Sequence, residues 1–296
     1  MKTVTSFEEM KDCALALGNF DGLHIAHRKI IEECRCYARK NGLMCGVLLF
    51  DRHPKSFFKE DIKLLTTTDE KIQLLEEVGI DFVFIKTFDD ETMHMSCSDF
   101  FSFLTDRIKA KALFAGYDYT FGYKALGNSK TLLKMCEEKG IYAEIISRID
   151  IDAEAVSSTK IRELIISGKT FEAQKYLGNM YSVVGVVEKG KQNGTKMGIP
   201  TANVSFSDDK LIPSDGVYTG IFEGLGESYK CLINIGKNPT FDAEKRTLEV
   251  HIPDFSGDLY NEYVRVLFDR KIRQEVKFNS SDELVEQINK DLGCLE

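Results

Sequence analysis

The chain contains 296 residues, carries a formal net charge of −8 and is hydrophobic at 43% of its positions. This length and composition are typical of a globular protein with one large or two ordinary domains. The acidic balance argues against a broad basic face for nucleic acid. The sequence also lacks the apolar core of a signal peptide and a run of about 18 apolar residues that could span a membrane. The eight cysteines show no C-x-x-C spacing, so we expect a cytoplasmic protein with reduced thiols and no nucleic-acid or membrane partner.

The first half of the chain alternates short apolar runs with segments of helical periodicity. The candidate strands are residues 13–18, 43–50, 81–86, 111–116 and 141–146. Between the second and third of these runs, Thr67 and Glu70 have the spacing of a capping box, and Gly79 stands where that helix should end. Strands that alternate with helices predict a doubly wound, mainly parallel sheet with helices on both faces.

The second half has a different pattern, with short strand-like runs at close spacing. The candidate strands are residues 181–190, 216–224, 229–236, 247–255 and 263–272. This spacing indicates a small barrel or sandwich, and one amphipathic helix over residues 281–293 closes the chain. We therefore predict two domains, residues 1–178 and residues 179–296.

The stretch "GNFDGLHIAHRKII" follows the first predicted strand. In a doubly wound sheet, ligands bind beyond the carboxyl ends of the strands, where the helix that follows directs its free N–H groups toward them. His24 and His27 would share one face at the start of such a helix. Two imidazoles and backbone amides can hold a phosphate chain and stabilise charge that develops during displacement at phosphorus. An isolated H-x-x-H pair, however, is more often a structural feature of a first helical turn.

Several further motifs accompany the histidine pair, in a fixed order. They are "FDRHP" (50–54), "GYDYTFG" (116–122), "SSTKIR" (157–162), "GTKMGIPTANV" (194–204), "GVYTG" (216–220), "NIGKNPTF" (234–241) and "LEVHIPDF" (248–255). In order and spacing this set resembles the prokaryotic bifunctional riboflavin kinase/FAD synthetases over nearly the whole chain. The resemblance implies a Rossmann-like α/β nucleotidylyltransferase domain followed by a small antiparallel β-barrel with a closing helix.

The resemblance also implies an ATP site in the first half, where FMN is adenylylated. His24 and His27 would face the phosphates, and Arg162 would complete a second phosphate clamp, a role that suits its planar, permanent charge. The remaining residues expected to bind nucleotide or flavin in this half are Gly18, Phe20, Asp21, Gly22, Asp118, Gly122, Ser158 and Thr159.

Three positions in the first half depart from the usual family pattern. Ala26 replaces a glycine between the histidines, Arg52 stands where proline is common, and Asn128 replaces an acidic residue, with Lys124 as the nearest cation. A Cβ at Ala26 would hinder the approach of backbone to phosphate if the site required a positive φ. These departures leave open an alternative: a riboflavin kinase whose amino-terminal domain binds nucleotide or flavin but adenylylates poorly or not at all.

The second half contains the residue types that a kinase acting on an alcohol requires. A glycine-rich stretch can approach phosphates, while Thr201 and Asn203 supply hard oxygen ligands on one strand face. Glu249 alternates with apolar neighbours and so faces away from them. Taken alone, the glycine-rich stretch is more often a hairpin that ends in a polar turn, and Glu249 is compatible with a solvated strand carboxylate. The resemblance implies that Thr201 and Asn203 bind Mg²⁺, that Glu249 is the base for the ribityl 5′-hydroxyl, and that further residues hold the nucleotide: Gly194, Lys196, Gly198 and Pro200.

The sequence thus predicts an enzyme that uses ATP and Mg²⁺ twice. Riboflavin and ATP give FMN and ADP, and FMN with a second ATP gives FAD and pyrophosphate. Two further alternatives are a non-catalytic flavin sensor, which the combination of Thr201, Asn203 and Glu249 disfavours, and a nucleotidylyltransferase with another acceptor, which leaves the barrel unexplained.

Overall fold

The computed structural model describes residues 1–4, 10–52, 54, 62–189, 200–237, 246–253, 255–278 and 280–295. The chain forms two compact units, Met1–Ser158 and Thr159–Glu296. The predicted functional boundary at residue 178 stays a prediction, because compactness does not reveal where the residues of one activity end.

A six-stranded parallel sheet forms the centre of the first unit. Its strands are β1 (Lys2–Val4), β2 (Cys13–Leu17), β3 (Met44–Phe50), β4 (Phe82–Lys86), β5 (Ala110–Gly116) and β8 (Tyr142–Ile146). They lie in the order β1-β4-β3-β2-β5-β8, and each neighbouring pair is parallel. Two short antiparallel pairs complete the strands of this unit: β6 (Thr120–Phe121) with β7 (Gly127–Asn128), and β9 (Asp150–Ile151) with β10 (Glu154–Ala155).

Helices cover both faces of this sheet, as predicted. They are α1 (Ile25–Asn41), α2 (Thr68–Glu77), α3 (Asp90–His94), α4 (Cys97–Ser102), a π-helical turn (Phe103–Arg107), a 3₁₀ turn (Tyr123–Ala125) and α5 (Ser129–Lys139). The side chains of β2 alternate between two cores: Leu15 packs with residues of α4 and α5, and Ala14 packs with residues of α1 and α2. The predicted capping box of Thr67 and Glu70 is present at the start of α2.

The second unit is built on a closed antiparallel barrel. Its strands are β11 (Tyr181–Glu188), β12 (Ala202–Ser205), β13 (Gly216–Gly224), β14 (Glu227–Lys237), β15 (Arg246–His251) and β16 (Tyr263–Arg273), in the order β11-β12-β15-β14-β13-β16. Its helices are α6 (Ser158–Ile166), α7 (Thr170–Leu177) and α8 (Ser281–Leu292), followed by a 3₁₀ turn (Gly293–Leu295). The barrel settles the choice between barrel and sandwich that the strand spacing left open.

The closing helix α8 is fastened to the barrel by a partly buried ion pair. Arg273 at the end of β16 binds the Asp291 carboxylate, with Nη2 at 2.7 Å and Nε at 2.8 Å from Oδ2. Gln287 of the same helix donates to Asp291 Oδ1 at 2.8 Å. Among the helices in the described ranges, none is both long and apolar enough to cross a membrane.

Candidate active sites

The histidine motif lies at the point where the strand order of the parallel sheet reverses. The chain passes from β2 through α1 to β3 on one side, whereas β5 pairs with β2 on the other side. In open parallel sheets, the crevice beyond the carboxyl ends of two such strands is the usual ligand site. The loop after β2 and the loop after β5 therefore both border the expected crevice, and both contain predicted site residues.

The loop between β2 and α1 has an unusual backbone. Phe20 has a φ of 49°, Gly22 of 84° and Leu23 of 39°, and the Leu23 N–H donates to the carbonyl of Phe20 at 3.2 Å. Positive φ is uncommon for a large apolar residue and costs about 1–3 kcal/mol. The buried rings and side chains of Phe20 and Leu23 hold this conformation, which fixes where α1 begins.

Asp21 connects the loop after β2 to the residues before α2, and its predicted role in binding stays a prediction. Its carboxylate is buried, and Oδ1 accepts a hydrogen bond from the backbone N–H of Thr66 at 3.0 Å. The hydroxyl of Thr66 in turn accepts from the Gly22 N–H at 2.9 Å. These bonds join the loop after β2 to the residue that precedes the capping box of α2. Thr66 was absent from the sequence predictions, because no local pattern distinguishes it from Thr67 and Thr68.

His24 and His27 face each other at the start of α1. Their rings stack with centroids 3.5 Å apart and an interplanar angle of 12°. His24 is the N-cap residue, and its Nδ1 accepts a hydrogen bond from the His27 N–H at 3.3 Å. This bond requires an unprotonated Nδ1, so the proton of a neutral His24 lies on Nε2. Nδ1 of His27 is buried and has no hydrogen-bond partner among the described residues.

Both imidazoles are held in the neutral form. Burial lowers the pKa of His24 to about 4, although the nearby Asp21 opposes this shift. The pKa of His27 lies well below its ordinary value because of burial and, secondarily, the charges of His24 and Lys71. At neutral pH the pair therefore offers N–H donors without positive charge.

Asp118 and Gly122 lie in the loop after β5, on the other side of the crevice. A Cβ placed on Gly116 would stand 3.0 Å from Oδ1 of Asp118, which shows how closely this carboxylate approaches the end of β5. Gly122 has a φ of 74°, and a Cβ there would lie 2.7 Å from Sγ of Cys97. Gly122 is therefore required by backbone conformation and packing, and Asp118 is exposed.

The "SSTKIR" residues are divided between the two units. Ser158, the last residue of the first unit, donates through Oγ to the backbone carbonyl of Asp21 at 2.9 Å. Thr159 and Arg162 lie on α6 within the second unit, so their role beside the histidines stays a prediction.

The structure shows no backbone strain at Ala26 and gives Asn128 a capping role. Ala26 lies in the first turn of α1, and its φ is not among the positive values, so its Cβ causes no backbone strain. Asn128 is the N-cap of α5, where Oδ1 accepts from the Thr131 N–H at 3.0 Å. Asparagine and aspartate cap helices about equally well. Arg52 is exposed and stands 3.8 Å from the carboxylate of Asp51.

In the second unit, two predicted site residues are direct neighbours on adjacent strands. Asn203 on β12 pairs with Glu249 on β15. Leu248 and Val250 are buried in the barrel, so Glu249 faces outward as predicted, and Asn203 shares that face. Thr201 precedes β12 and is partly exposed. Pro200 accepts a hydrogen bond at its carbonyl from His251 at 2.9 Å, an assignment that places the proton on Nδ1.

This neighbour pair belongs to a longer row of polar side chains. Asn234 on β14 pairs with Glu249, and Glu188 on β11 pairs with Asn203. The row thus crosses four neighbouring strands on one outer face. The sequence analysis missed Asn234, although a polar residue between the buried Ile233 and Ile235 was a usable signal. The predicted phosphate-loop residues Gly194, Lys196 and Gly198 lie outside the described residues.

Comparison with known proteins gives matches over nearly the whole chain. A family model described as FAD synthetase matches residues 6–160, and one described as riboflavin kinase matches residues 177–295. A bifunctional riboflavin kinase/FMN adenylyltransferase of Haemophilus influenzae is 35% identical over 288 residues, 96% of this chain and 93% of the relative. The protein of that name from Listeria monocytogenes is 32% identical over 281 residues, 94% of this chain and 89% of the relative.

A solved structure is similar over the same extent. It is a crystal structure described as a macrolide-efflux protein from Streptococcus pneumoniae, with a TM-score of 0.89 and 29% identity, and the match covers 99% of this chain and 97% of that one.

With both family models on one chain, the protein is a two-domain transferase rather than a kinase or an adenylyltransferase alone. It belongs to the family of bifunctional riboflavin kinase/FMN adenylyltransferases. The predicted family, fold class and pair of activities are confirmed, and they are favoured over a kinase with an inactive amino-terminal domain.

Proposed function

We propose that the first unit adenylylates FMN at the crevice between β2 and β5, and that the second unit phosphorylates riboflavin on the outer face of β12 and β15. The observation that supports the first assignment is the stacked pair of His24 and His27 at the switch point. The second assignment is supported by the register of Asn203 with Glu249. Each arrangement places polar groups of suitable chemistry side by side on rigid elements.

In the adenylyl transfer, a phosphate oxygen of FMN attacks the α-phosphorus of ATP. The bond from that phosphorus to the bridging oxygen of the β-phosphate breaks, and pyrophosphate leaves. His24 contributes its Nε2–H, since its Nδ1 is engaged by the cap of α1. Donors that are fixed before the reaction stabilise developing negative charge without reorganising. The free N–H groups at the start of α1 act in the same direction.

In the kinase reaction, Glu249 accepts the proton of the ribityl 5′-hydroxyl as its oxygen attacks the γ-phosphorus of ATP. The bond to the β-phosphate oxygen breaks, and ADP leaves. Glu249 is partly exposed on a strand whose neighbouring side chains are buried, so its carboxylate is accessible while its backbone is rigid.

The donor set of the second unit fits Mg²⁺. Thr201 offers a hydroxyl oxygen and Asn203 an amide oxygen. Thr201 directly precedes β12 and Asn203 lies on it, and β12 pairs with β15, the strand of Glu249. Such hard oxygen ligands suit Mg²⁺, which keeps several waters and binds substrate phosphates. Bound there with ATP, the ion would neutralise charge on the transferred phosphoryl group. Mg²⁺ in the adenylyl transfer is proposed from the family alone.

The assay of both reactions uses the whole chain with riboflavin, ATP and Mg²⁺, and separates the flavins by chromatography over time. FMN should accumulate first and FAD should follow, and FMN supplied directly should give FAD without riboflavin. Conversion that stops at FMN would show an inactive first unit. A cytoplasmic location is part of the same proposal, supported by eight free cysteines, which are usual in a reducing compartment.

A further inference from the structure

One lysine near the histidine pair is buried where an apolar residue would be expected. Lys71 is the fourth residue of α2, and only 6% of its surface is exposed. Leu74 and Leu75, three and four residues later, are buried on the same face of the helix. Lysine is almost never fully buried unless its charge is paired, because desolvating an ammonium group is costly. A buried lysine on an apolar helix face therefore calls for an explanation.

The residues just before Lys71 are hydrogen-bonded to the loop that precedes α1. Thr66 holds Asp21 through its N–H and receives the Gly22 N–H on its hydroxyl. The next residue, Thr67, starts α2 with a capping box, in which its N–H donates to Oε2 of Glu70 at 2.7 Å. The first turn of α2 and the loop after β2 thus form one hydrogen-bonded unit. Lys71 follows directly on this unit, since its backbone N–H donates to the carbonyl of Thr67 at 2.9 Å.

The ammonium group of Lys71 takes no part in these hydrogen bonds. Within the described part of the chain it donates no hydrogen bond and has no carboxylate within 4.0 Å. Asp21 and Glu70 act on it at longer range, while Oδ1 of Asp21 and Oε2 of Glu70 accept hydrogen bonds from the backbone N–H groups of Thr66 and Thr67. Burial lowers the pKa of Lys71, and the two carboxylates oppose that shift.

A second polar group nearby also lacks a partner. Nδ1 of His27 is buried without a hydrogen-bond partner among the described residues, and the charge of Lys71 acts on this imidazole. Among the described residues, the His27 Nδ1 on α1 and the Lys71 ammonium group on α2 therefore both lack a hydrogen-bond partner. A buried polar group without a partner calls for an explanation, and a ligand that is absent from the free protein is one. The N–H groups at the start of α1 and a lysine ammonium together suit an anion with several oxygens.

We propose that Lys71 is a phosphate-binding residue of the adenylyl transfer site, and that its ammonium group binds the polyphosphate chain of ATP beside His27. This inference rests on the proposed assignment of adenylyl transfer to the crevice at β2 and β5. It adds a fixed positive charge to a site whose two histidines are neutral. It also accounts for the cost of burying Lys71, since bound phosphate supplies the missing partner.

A purely structural role makes the opposite prediction for stability. If Lys71 served to balance the buried Asp21, its removal would leave that carboxylate uncompensated and would destabilise the first unit. If Lys71 is instead held for a ligand, replacing it with an apolar side chain of similar length removes an unpaired buried charge. The free protein should then be as stable as the wild type or more stable.

The experiment compares Lys71→Met, Lys71→Arg and, as a matched control, Lys134→Met on the exposed face of α5, where the lysine is 76% exposed. Three quantities are measured: the melting temperature, its increase with pyrophosphate, and kcat and KM for ATP in the conversion of FMN to FAD. We expect Lys71→Met to keep or raise the melting temperature, to lose at least about tenfold in pyrophosphate affinity and about 100-fold in kcat/KM. Lys71→Arg should recover part of both losses, and Lys134→Met should match the wild type.

Two results would overturn the inference. One is a Lys71→Met variant whose pyrophosphate affinity and kcat/KM stay within about threefold of the wild type. The other is a loss of activity that is accompanied by a lower melting temperature and explained by it, because Lys71 would then stabilise the fold rather than bind phosphate. Failure of the underlying site assignment looks different: His27→Ala would then retain FAD synthesis, whatever the effect of Lys71→Met.

Discussion

Nδ1 of His24 accepts a hydrogen bond from the backbone N–H of His27, and the two imidazole rings stack with their centroids 3.5 Å apart. One histidine thus caps the helix on which the other is carried. The cap determines the tautomer of His24, and burial keeps both rings neutral. The helix start and the proposed catalytic donors are therefore a single structural unit, and a change to one residue should affect both stability and chemistry.

The first prediction concerns acid stability. The folded pKa of His24, about 4, lies below the value of about 6.5 expected in the unfolded chain. The unfolded chain therefore binds a proton first as the pH falls. Above pH 6.5 the neutral His24 makes its full contribution to the free energy of unfolding. This contribution is lost as the pH falls toward 4, at about 1.4 kcal/mol per pH unit.

The variant His24→Asn keeps a good N-cap but cannot be protonated. We would measure the free energy of unfolding of the first unit by chemical denaturation between pH 7 and pH 4.5. Its dependence on pH should correspond to about one proton fewer in the variant than in the wild type. An identical slope in His24→Asn and the wild type would contradict the proposed protonation state.

The second prediction concerns Ala26. Because Ala26 has a helical backbone, glycine at this position should not improve the approach to phosphate. We expect Ala26→Gly to leave FAD synthesis within about twofold of the wild type and to lower the free energy of unfolding by up to ~1 kcal/mol. A clear rise in the rate of FAD synthesis would instead mean that the methyl group obstructs the substrate.

The third prediction concerns the metal in the second unit. Thr201→Val and Asn203→Ala each remove one oxygen ligand from a cation that tolerates poor geometry badly. The Mg²⁺ concentration needed for half-maximal riboflavin phosphorylation should rise by about 10- to 100-fold, the range typical for residues that support a metal site. Synthesis of FAD from FMN serves as the internal control. Unchanged Mg²⁺ titrations of the kinase reaction would remove both residues from the site.

The fourth prediction concerns the closing helix α8. The Asp291 carboxylate is 5% exposed and is bound by Arg273. Asp291→Ala leaves the Arg273 guanidinium partly buried without its partner, so the free energy of unfolding should fall by about 3–5 kcal/mol. Glu286→Ala on the same helix breaks only the exposed pair with Lys290 and should cost about 0.5 kcal/mol or less. Equal effects of the two changes on denaturant unfolding would contradict this difference.

Hydrophobic periodicity was sufficient to predict the parallel sheet with its helices in the first half and the closely spaced strands in the second half. The apolar runs gave the strands from β2 to β5, and the spacing of Thr67 and Glu70 gave the start of α2. Strand β1 escaped prediction because its three residues gain their structure only by pairing with β4, which is distant in the sequence. Closure of the barrel also depends on pairings between distant strands, such as β12 with β15.

Candidate site residues could be proposed from the sequence where they form a motif, and could not where their surroundings arise from packing. His24, His27, Asn203 and Glu249 stand out by residue type and spacing. Thr66 does not, because its role comes from hydrogen bonds with Asp21 and Gly22, some 45 residues earlier in the chain, and the burial of Lys71 becomes visible only in the fold. A lysine on the apolar face of α2 was nevertheless a visible signal of an unusual environment.

The central claim is that each unit carries one reaction, and it is tested most directly by two rates measured on two variants. The rates are riboflavin to FMN and FMN to FAD, and the variants are Glu249→Gln and His27→Ala. Glu249→Gln should lower FMN formation by about 10²- to 10⁴-fold and leave FAD formation from FMN unchanged. His27→Ala should raise the barrier to adenylyl transfer by about 2.7–4 kcal/mol and leave riboflavin phosphorylation intact. Loss of both rates in either variant, or wild-type FAD synthesis in His27→Ala, would contradict the account.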